Sequence, residues 1–234
     1  MPLQLANPAN AAGAAVFFAT FLAFLAWSYR NQEGLGEFSV GVSYKQVFGV
    51  VLSIVPLVAG LSYTLMAFDL GFVEVAGRTV SYIRYFEWGV STPLLLFGLA
   101  ALTQKDRLVY GLVGLDVAMI VTGFFASVTT GAMKLGFLAV STGAFLVLLY
   151  LLLFRSKEAI EKRPETIQKI FRPLRILTLL VWGLYPFVWA LSTDGFALVG
   201  FEVSQLVFMA LDLTAKVGYT GIVLYRLETL GSRL

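Results

Sequence analysis

Two versatile side chains are missing from this chain. It has no cysteine, so neither a disulfide framework nor a thiolate metal site can form. It has no histidine either, which removes the usual general base, the usual metal ligand and the usual neutral-pH switch. Charge is scarce: Asp, Glu, Lys and Arg make up only 13% of the 234 residues. Any chemistry is therefore left to carboxylates, hydroxyls, lysine or a bound cofactor. The opening stretch "MPLQLANPANAAGAA" carries no basic region ahead of its apolar segment, so a cleaved secretory signal is not expected. What the chain has in excess is apolar surface. Hydrophobic residues reach 59% and mean hydropathy is +0.84, more than a soluble domain of this length needs for one core. The expected solvent is the lipid bilayer.

A membrane-spanning helix needs about 20 mostly apolar residues. Polar punctuation divides the chain into seven such segments, at about 10–30, 43–68, 81–102, 108–128, 133–154, 168–191 and 203–226. The expected fold is an all-α membrane protein, a single seven-transmembrane helix bundle over 1–234. "RSKEAIEKRPETIQKIFRPLR", with Pro164 and Pro173, reads as the one long charged connection, with helical extensions on both sides. In "DLGFVEVAGRTVSY" the Val/Thr alternation around Gly77 is compatible with a short hairpin.

Basic residues set an expected orientation. With the amino terminus outside, the inner loops and tail hold Arg30, Lys45, Lys105, Arg107, Arg155, Lys157, Lys162, Arg163, Lys169, Arg172, Arg175, Arg226 and Arg233, against Arg78 and Lys134 on the outer side. That is a strong positive-inside bias. The net charge of +3 thus reflects topology, and no nucleic-acid partner is assigned to it.

Five charges remain inside the spans: Arg84, Glu87, Asp116, Asp212 and Lys216. A mid-bilayer charge costs about 2.5–3.5 kcal/mol on insertion scales, so such residues face the bundle interior and mark a pathway or site. Lys216 lies one helical turn after Asp212, on the same face. One reading of that pair is a structural ion pair. The other is an amine in a dry pocket, able to form a Schiff base with a carbonyl compound. On helix three, "IRYFEWGVSTPLLLFG" places Arg84, Glu87 and Ser91 on one face. An acid between an arginine and a hydroxyl reads as a counterion site. Helix six adds "VWGLYPFVWAL", with Trp182, Tyr185 and Trp189 around Pro186. Taken alone, that aromatic row is ordinary packing.

Taken together, "RYFEWGVSTPLLL", "WGLYPFVW" and "LDLTAKVGY", on helices three, six and seven of a seven-helix chain, resemble the microbial rhodopsins. The likeness is to their archaeal bacteriorhodopsin and sensory rhodopsin branch. It implies all-trans retinal bound to Lys216 as a protonated Schiff base, with Glu87 and Asp212 as counterions and Arg84 and Ser91 beside them. It further implies a retinal cage of Trp88, Thr92, Leu95, Met119, Gly123, Ser141, Thr142, Trp182, Tyr185, Pro186 and Trp189. Tyr63 and Tyr185 would supply hydroxyls to Asp212, and Asp116 would pair with Thr92. The implied protein is a multi-pass cell-membrane photoreceptor, a homo-oligomer in lipid that carries protons and is not an enzyme. A lysine-dependent enzyme would need a substrate route and a general base.

The chain departs from the family at several positions. Glu87 stands where aspartate is usual, and Ser91 where threonine is common. Gly98 lies eleven residues beyond Glu87, about 16 Å along the helix, where efficient pumps carry a carboxylate that returns a proton from inside. Leu52 and Phe97 make that half more apolar still. Asp194 matches one member of the outer glutamate pair, Ser204 replaces the other, and Glu202 is a candidate substitute. Leu138 replaces a tryptophan. An acid at the acceptor position argues for an outward proton pump with slow Schiff-base reprotonation. The alternative is a sensory photoreceptor signalling through a membrane transducer, which "GRTVSYIRY" favours. Thr178, Ala210 and Ala215 oppose it, because sensory relatives tend to carry other residues there.

Overall fold

The computed structural model describes residues 7–30 and 44–230. Residues 1–6 of the opening stretch, and Arg233, lie outside the described residues, as do the side chains of Arg30 and Lys45. Seven long helices run Pro8–Arg30 (α1), Tyr44–Ala67 (α2), Tyr82–Ala101 (α3), Asp106–Val128 (α4), Gly131–Ile160 (α5), Glu165–Leu191 (α6) and Phe201–Leu230 (α7). Each of α1, α2 and α4 to α7 contains a stretch long and apolar enough to cross a membrane. The exception is α3. Its 20 residues span about 30 Å, but the buried Arg84 and Glu87 lower its hydropathy. α3 is shielded between α2 and α4, while α7 returns to pack on α1 and α2, which closes the bundle. Large apolar side chains such as Leu22, Tyr110, Leu146, Phe154, Leu180 and Phe187 lie exposed on the outside, as a lipid-facing surface requires. The molecule is a multi-pass seven-helix membrane protein.

Two helices depart from the regular ladder for identifiable reasons. In α5 the segment Leu151–Arg155 winds as a π-helix, and the regular helix resumes over Ser156–Ile160. Arg175 of α6 reaches into it, its Nε donating to Leu152 O at 2.7 Å and Nη2 to Leu153 O at 2.7 Å. α6 itself is interrupted between Trp182 and Tyr185. Pro186 has no N–H for Trp182 O, so the ladder has to break one turn before it.

The connection between α2 and α3 is the expected hairpin. β1 (Phe72–Val75) and β2 (Arg78–Ser81) pair antiparallel with Val75 opposite Arg78. The turn residues Ala76 and Gly77 have φ of 49° and 75°, the left-handed pair that matches strand twist in a two-residue turn.

At this hairpin end the basic residues Arg78 and Lys134 are structural. Arg78 Nη1 lies 2.8 Å from Thr193 O, 3.1 Å from Asp194 O and 3.1 Å from Gly195 O, and Nη2 lies 3.3 Å from Ser127 O. Lys134 is buried, its Nζ donating to Asp194 O at 2.9 Å beneath the Trp189 ring. The loop they hold is tight: a Cβ on Gly195 would fall 2.2 Å from Trp189 O, so only glycine fits. Replacing Arg78 with alanine removes the donor from four carbonyls. It is expected to cost about 1–3 kcal/mol, read as a lower midpoint in thermal unfolding followed by circular dichroism.

Candidate functional site

Two helices bring four of the five intramembrane charges into one cluster. Glu87 and Arg84 come from α3, Asp212 and Lys216 from α7, and each is at most 1% exposed. Lys216 Nζ donates to Asp212 Oδ1 at 2.6 Å and to Glu87 Oε2 at 2.9 Å. α2 contributes Tyr63, whose hydroxyl donates to Asp212 Oδ2 at 2.8 Å.

The two carboxylates are treated differently. Asp212 accepts from five donors: Lys216, Trp88 Nε1 at 3.0 Å and the Tyr185 hydroxyl at 2.7 Å on Oδ1, with Tyr63 and Arg84 Nη1 (3.2 Å) on Oδ2. Among the described residues Lys216 is the one donor in hydrogen-bond geometry to Glu87, whose Oε1 is buried without a partner, as is the nearby Ser91 Oγ. A carboxylate saturated with donors is held as the anion, whereas an oxygen without a donor is free to take a proton. Ser91, one turn on, is fully buried. Four acidic and basic groups balance in charge, which is what allows them to sit in a low-dielectric interior.

Lys216 also forms part of the wall of a cavity of about 300 Å³. Every residue that the sequence assigns to the cage lines it: Trp88, Thr92, Leu95, Met119, Gly123, Ser141, Thr142, Trp182, Tyr185, Pro186 and Trp189. Apart from the lysine and a few hydroxyls, the lining is apolar. It suits an apolar ligand whose carbonyl can condense with an amine. Thr92 Oγ1 lies 2.7 Å from both Trp88 O and Asp116 Oδ2. One hydroxyl proton cannot serve two acceptors, so both bonds form together only when Asp116 carries the other proton.

Sequence reasoning passed over several lining residues, among them Tyr85, Ile120, Phe145 and Ala190. For Tyr85 the signal was present, because 85, 88, 92 and 95 fall on one helical face. Its hydroxyl accepts from Trp189 Nε1 at 2.6 Å and lies 3.1 Å from Asp194 Oδ2. Asp194 lies in the loop after α6, and burial pushes its carboxyl above the usual range. Toward the same end, Arg84 Nη2 hydrogen-bonds Gln205 Oε1. Gln205 was not foreseen, although it lies two turns before Asp212 on the same face of α7. Glu202, the suggested substitute acid, instead lies on the exposed surface 3.5 Å from Asn7 Nδ2. Ser204 bonds back to Gly200 O. A neutral amide therefore occupies the place beside Arg84.

Comparison with known proteins agrees over the full bundle. A family model described as "Bacteriorhodopsin-like protein" matches residues 8–230. Archaerhodopsin-2 of Halobacterium sp. (strain aus-2) is 40% identical over 195 residues, 80% of this chain and 75% of that protein. Cruxrhodopsin-3 of Haloarcula vallismortis is 37% identical over 215 residues, 87% of this chain and 84% of that one. Among solved structures, a thermophilic rhodopsin from Rubrobacter xylanophilus matches with a TM-score of 0.81 at 30% identity, covering 94% of this chain and 97% of the other.

The donor arrangement sets an order of stability effects. Tyr63→Phe removes one of five donors to a charged acceptor and is expected to cost about 1.5–3 kcal/mol. Asp212→Ala leaves Arg84 and Lys216 short of a counter-charge and should cost more, about 3–5 kcal/mol. Thermal unfolding of both variants in detergent checks the ranking, and a Tyr63→Phe penalty at or above that of Asp212→Ala would refute it.

Proposed function

Because the chain belongs to the bacteriorhodopsin-like family, we propose that it is a light-driven outward proton pump that holds all-trans retinal on Lys216. The observation that carries this reading is the 2.9 Å contact between Lys216 Nζ and Glu87 Oε2, an acid at hydrogen-bond distance from the attachment nitrogen. Retinal, when bound as a Schiff base, supplies absorption of visible light and an isomerisation that changes the proton affinity of that nitrogen.

The side chains do the rest. Glu87, with one partner and a free oxygen, accepts the proton from the Lys216 nitrogen. Asp212 keeps its five donors and remains the fixed counter-charge that makes a buried cation tolerable. Arg84 stands between this pair and the hairpin end, bonded to Asp212 on one side and Gln205 on the other. A proton arriving on Glu87 weakens the attraction between the carboxylates and Arg84, which favours release toward Asp194 and the hairpin end. Trp88, Trp182 and Trp189 in the cavity wall exclude water from the reacting nitrogen and restrict the ligand's orientation. The excess of basic residues at the opposite end supports an orientation with that end in the cytoplasm and the hairpin outside.

A sensory role has less support. That reading calls for a side-chain hydrogen bond from position 178 across to position 215 of α7, and Thr178 does not make it. Its hydroxyl donates instead to Leu174 O of its own helix at 2.9 Å, and Ala215 offers no side-chain polar group.

Illumination of an unbuffered suspension of cells expressing the protein with added retinal is expected to acidify the medium, with the change abolished by a protonophore. Alkalinisation, or a coloured and photocycling protein that moves no protons, would overturn the proposal. Lys216→Ala is expected to lose the visible absorption band, and Glu87→Gln to shift it and to abolish the light-induced pH change. A Lys216→Ala protein that still bound retinal covalently would place the attachment elsewhere.

A further inference from the structure

The half of the bundle between Lys216 and the basic end is closed. Phe48, Val51 and Leu52 of α2 and Leu95, Leu96 and Leu99 of α3 are each at most 4% exposed, and no buried carboxylate lies among them. The hydroxyls there are already bonded to backbone carbonyls: Thr103 to Ala100 O, Thr178 to Leu174 O and Thr220 to Lys216 O. Among the described residues, two buried titratable side chains lie beyond Glu87 toward this end: Asp116 of α4, held at the border of the layer by Thr92, and Tyr219 within it. Tyr219 is 1% exposed, and its hydroxyl donates to Leu95 O across the α3–α7 contact at 3.3 Å.

What admits that hydroxyl is Gly98. A Cβ built on Gly98 would lie 3.0 Å from Tyr219 Oη and 3.2 Å from Val51 Cγ2, which is tighter than ordinary packing. The space that a side chain at position 98 would fill is thus taken by the tip of a tyrosine from α7. A phenol in an apolar layer cannot release a net proton as a carboxylic acid does. It can only occupy the route.

We propose that Tyr219, seated against Gly98 and bonded to Leu95 O, is the barrier that limits return of a proton from the basic end to Lys216. This rests on the light-driven proton transfer proposed above and makes Tyr219 a positioning residue. The ionisable groups that border it are Lys216, one turn earlier on α7, with Glu87 and Asp212 beyond, and Asp116 of α4, bonded to Thr92 one turn before Leu95 on α3. α2 and α3 present only Phe48, Val51, Leu52, Leu95, Leu96 and Leu99 to this layer among the described residues.

The test is the recovery of the dark absorbance after a flash, in purified protein with retinal, across about pH 6 to pH 8. If opening of the barrier is limiting, wild-type recovery is nearly independent of pH. Tyr219→Ala should then recover faster, with a rate falling roughly tenfold per pH unit, as for bimolecular capture of a proton from bulk. A variant that was merely less stable would bleach sooner on heating without acquiring that slope. Should Tyr219→Ala fail to fold, Tyr219→Leu keeps much of the apolar volume, vacates the space beside Gly98 and carries the same expectation. Tyr219→Phe should recover at least as fast as wild type. The proposal is overturned if wild type already shows the tenfold slope and the variants match it, or if Tyr219→Phe slows recovery tenfold, which would make the hydroxyl a carrier. A pigment with the expected contrast that transports no net proton would overturn the pumping reading and leave the barrier standing.

Discussion

Everything else in the molecule is arranged around one ammonium group buried away from the surface. Lys216 Nζ, 2.6 Å from Asp212 and 2.9 Å from Glu87, exchanges the hydration of a cation for two carboxylates. Those carboxylates then need partners of their own. Asp212 finds them on α2, α3, α6 and α7 together, so one side chain joins four helices. An ion cluster of this kind adds little net stability compared with an apolar core, but removing one member leaves a bare charge behind. The cluster is better understood as fixing which helices meet, and at what height, than as the source of folding energy.

The two halves of the bundle on either side of that cluster are built from different materials. Toward the hairpin, polar groups continue through Arg84, Gln205, Tyr85 and Asp194, and buried side-chain bonds join α3, α6, α7 and the loop after α6. Toward the basic end, the interior is a layer of leucine, valine and phenylalanine, with hydroxyls folded back onto backbone carbonyls. Protons move along hydrogen-bonded groups and not through packed methyls. The asymmetry is therefore built into the resting fold.

The fold and the charged part of the site were legible because their signals are local. Seven apolar runs are a consequence of bilayer thickness, and the spacings 84, 87, 91 and 212, 216 follow from the helical repeat. The cage was legible only through resemblance, since a tryptophan row by itself reads as packing. What escaped was whatever depends on how one helix is rotated against another. Gln205 and Glu202 lie three residues apart on α7, yet the first meets Arg84 and the second is exposed. Gly98 was legible as a missing donor, but not as the seat of Tyr219, because that contact joins residues 121 positions apart. The interruption of α6 could be read from Pro186, whereas the π segment of α5 had no proline or glycine to announce it.

That π segment gives the helices unequal mechanical freedom. Arg175 carries two bonds from the Glu165–Trp182 part of α6 to carbonyls of Leu152 and Leu153, which the wider winding of α5 presents sideways. Tilting that part of α6 while keeping both bonds drags the end of α5 with it. The gap between Trp182 and Tyr185 is the natural pivot, because the ladder is already broken there. Two helix ends are thus tied together by hydrogen bonds at the basic end, while the break in α6 lies at the cavity wall.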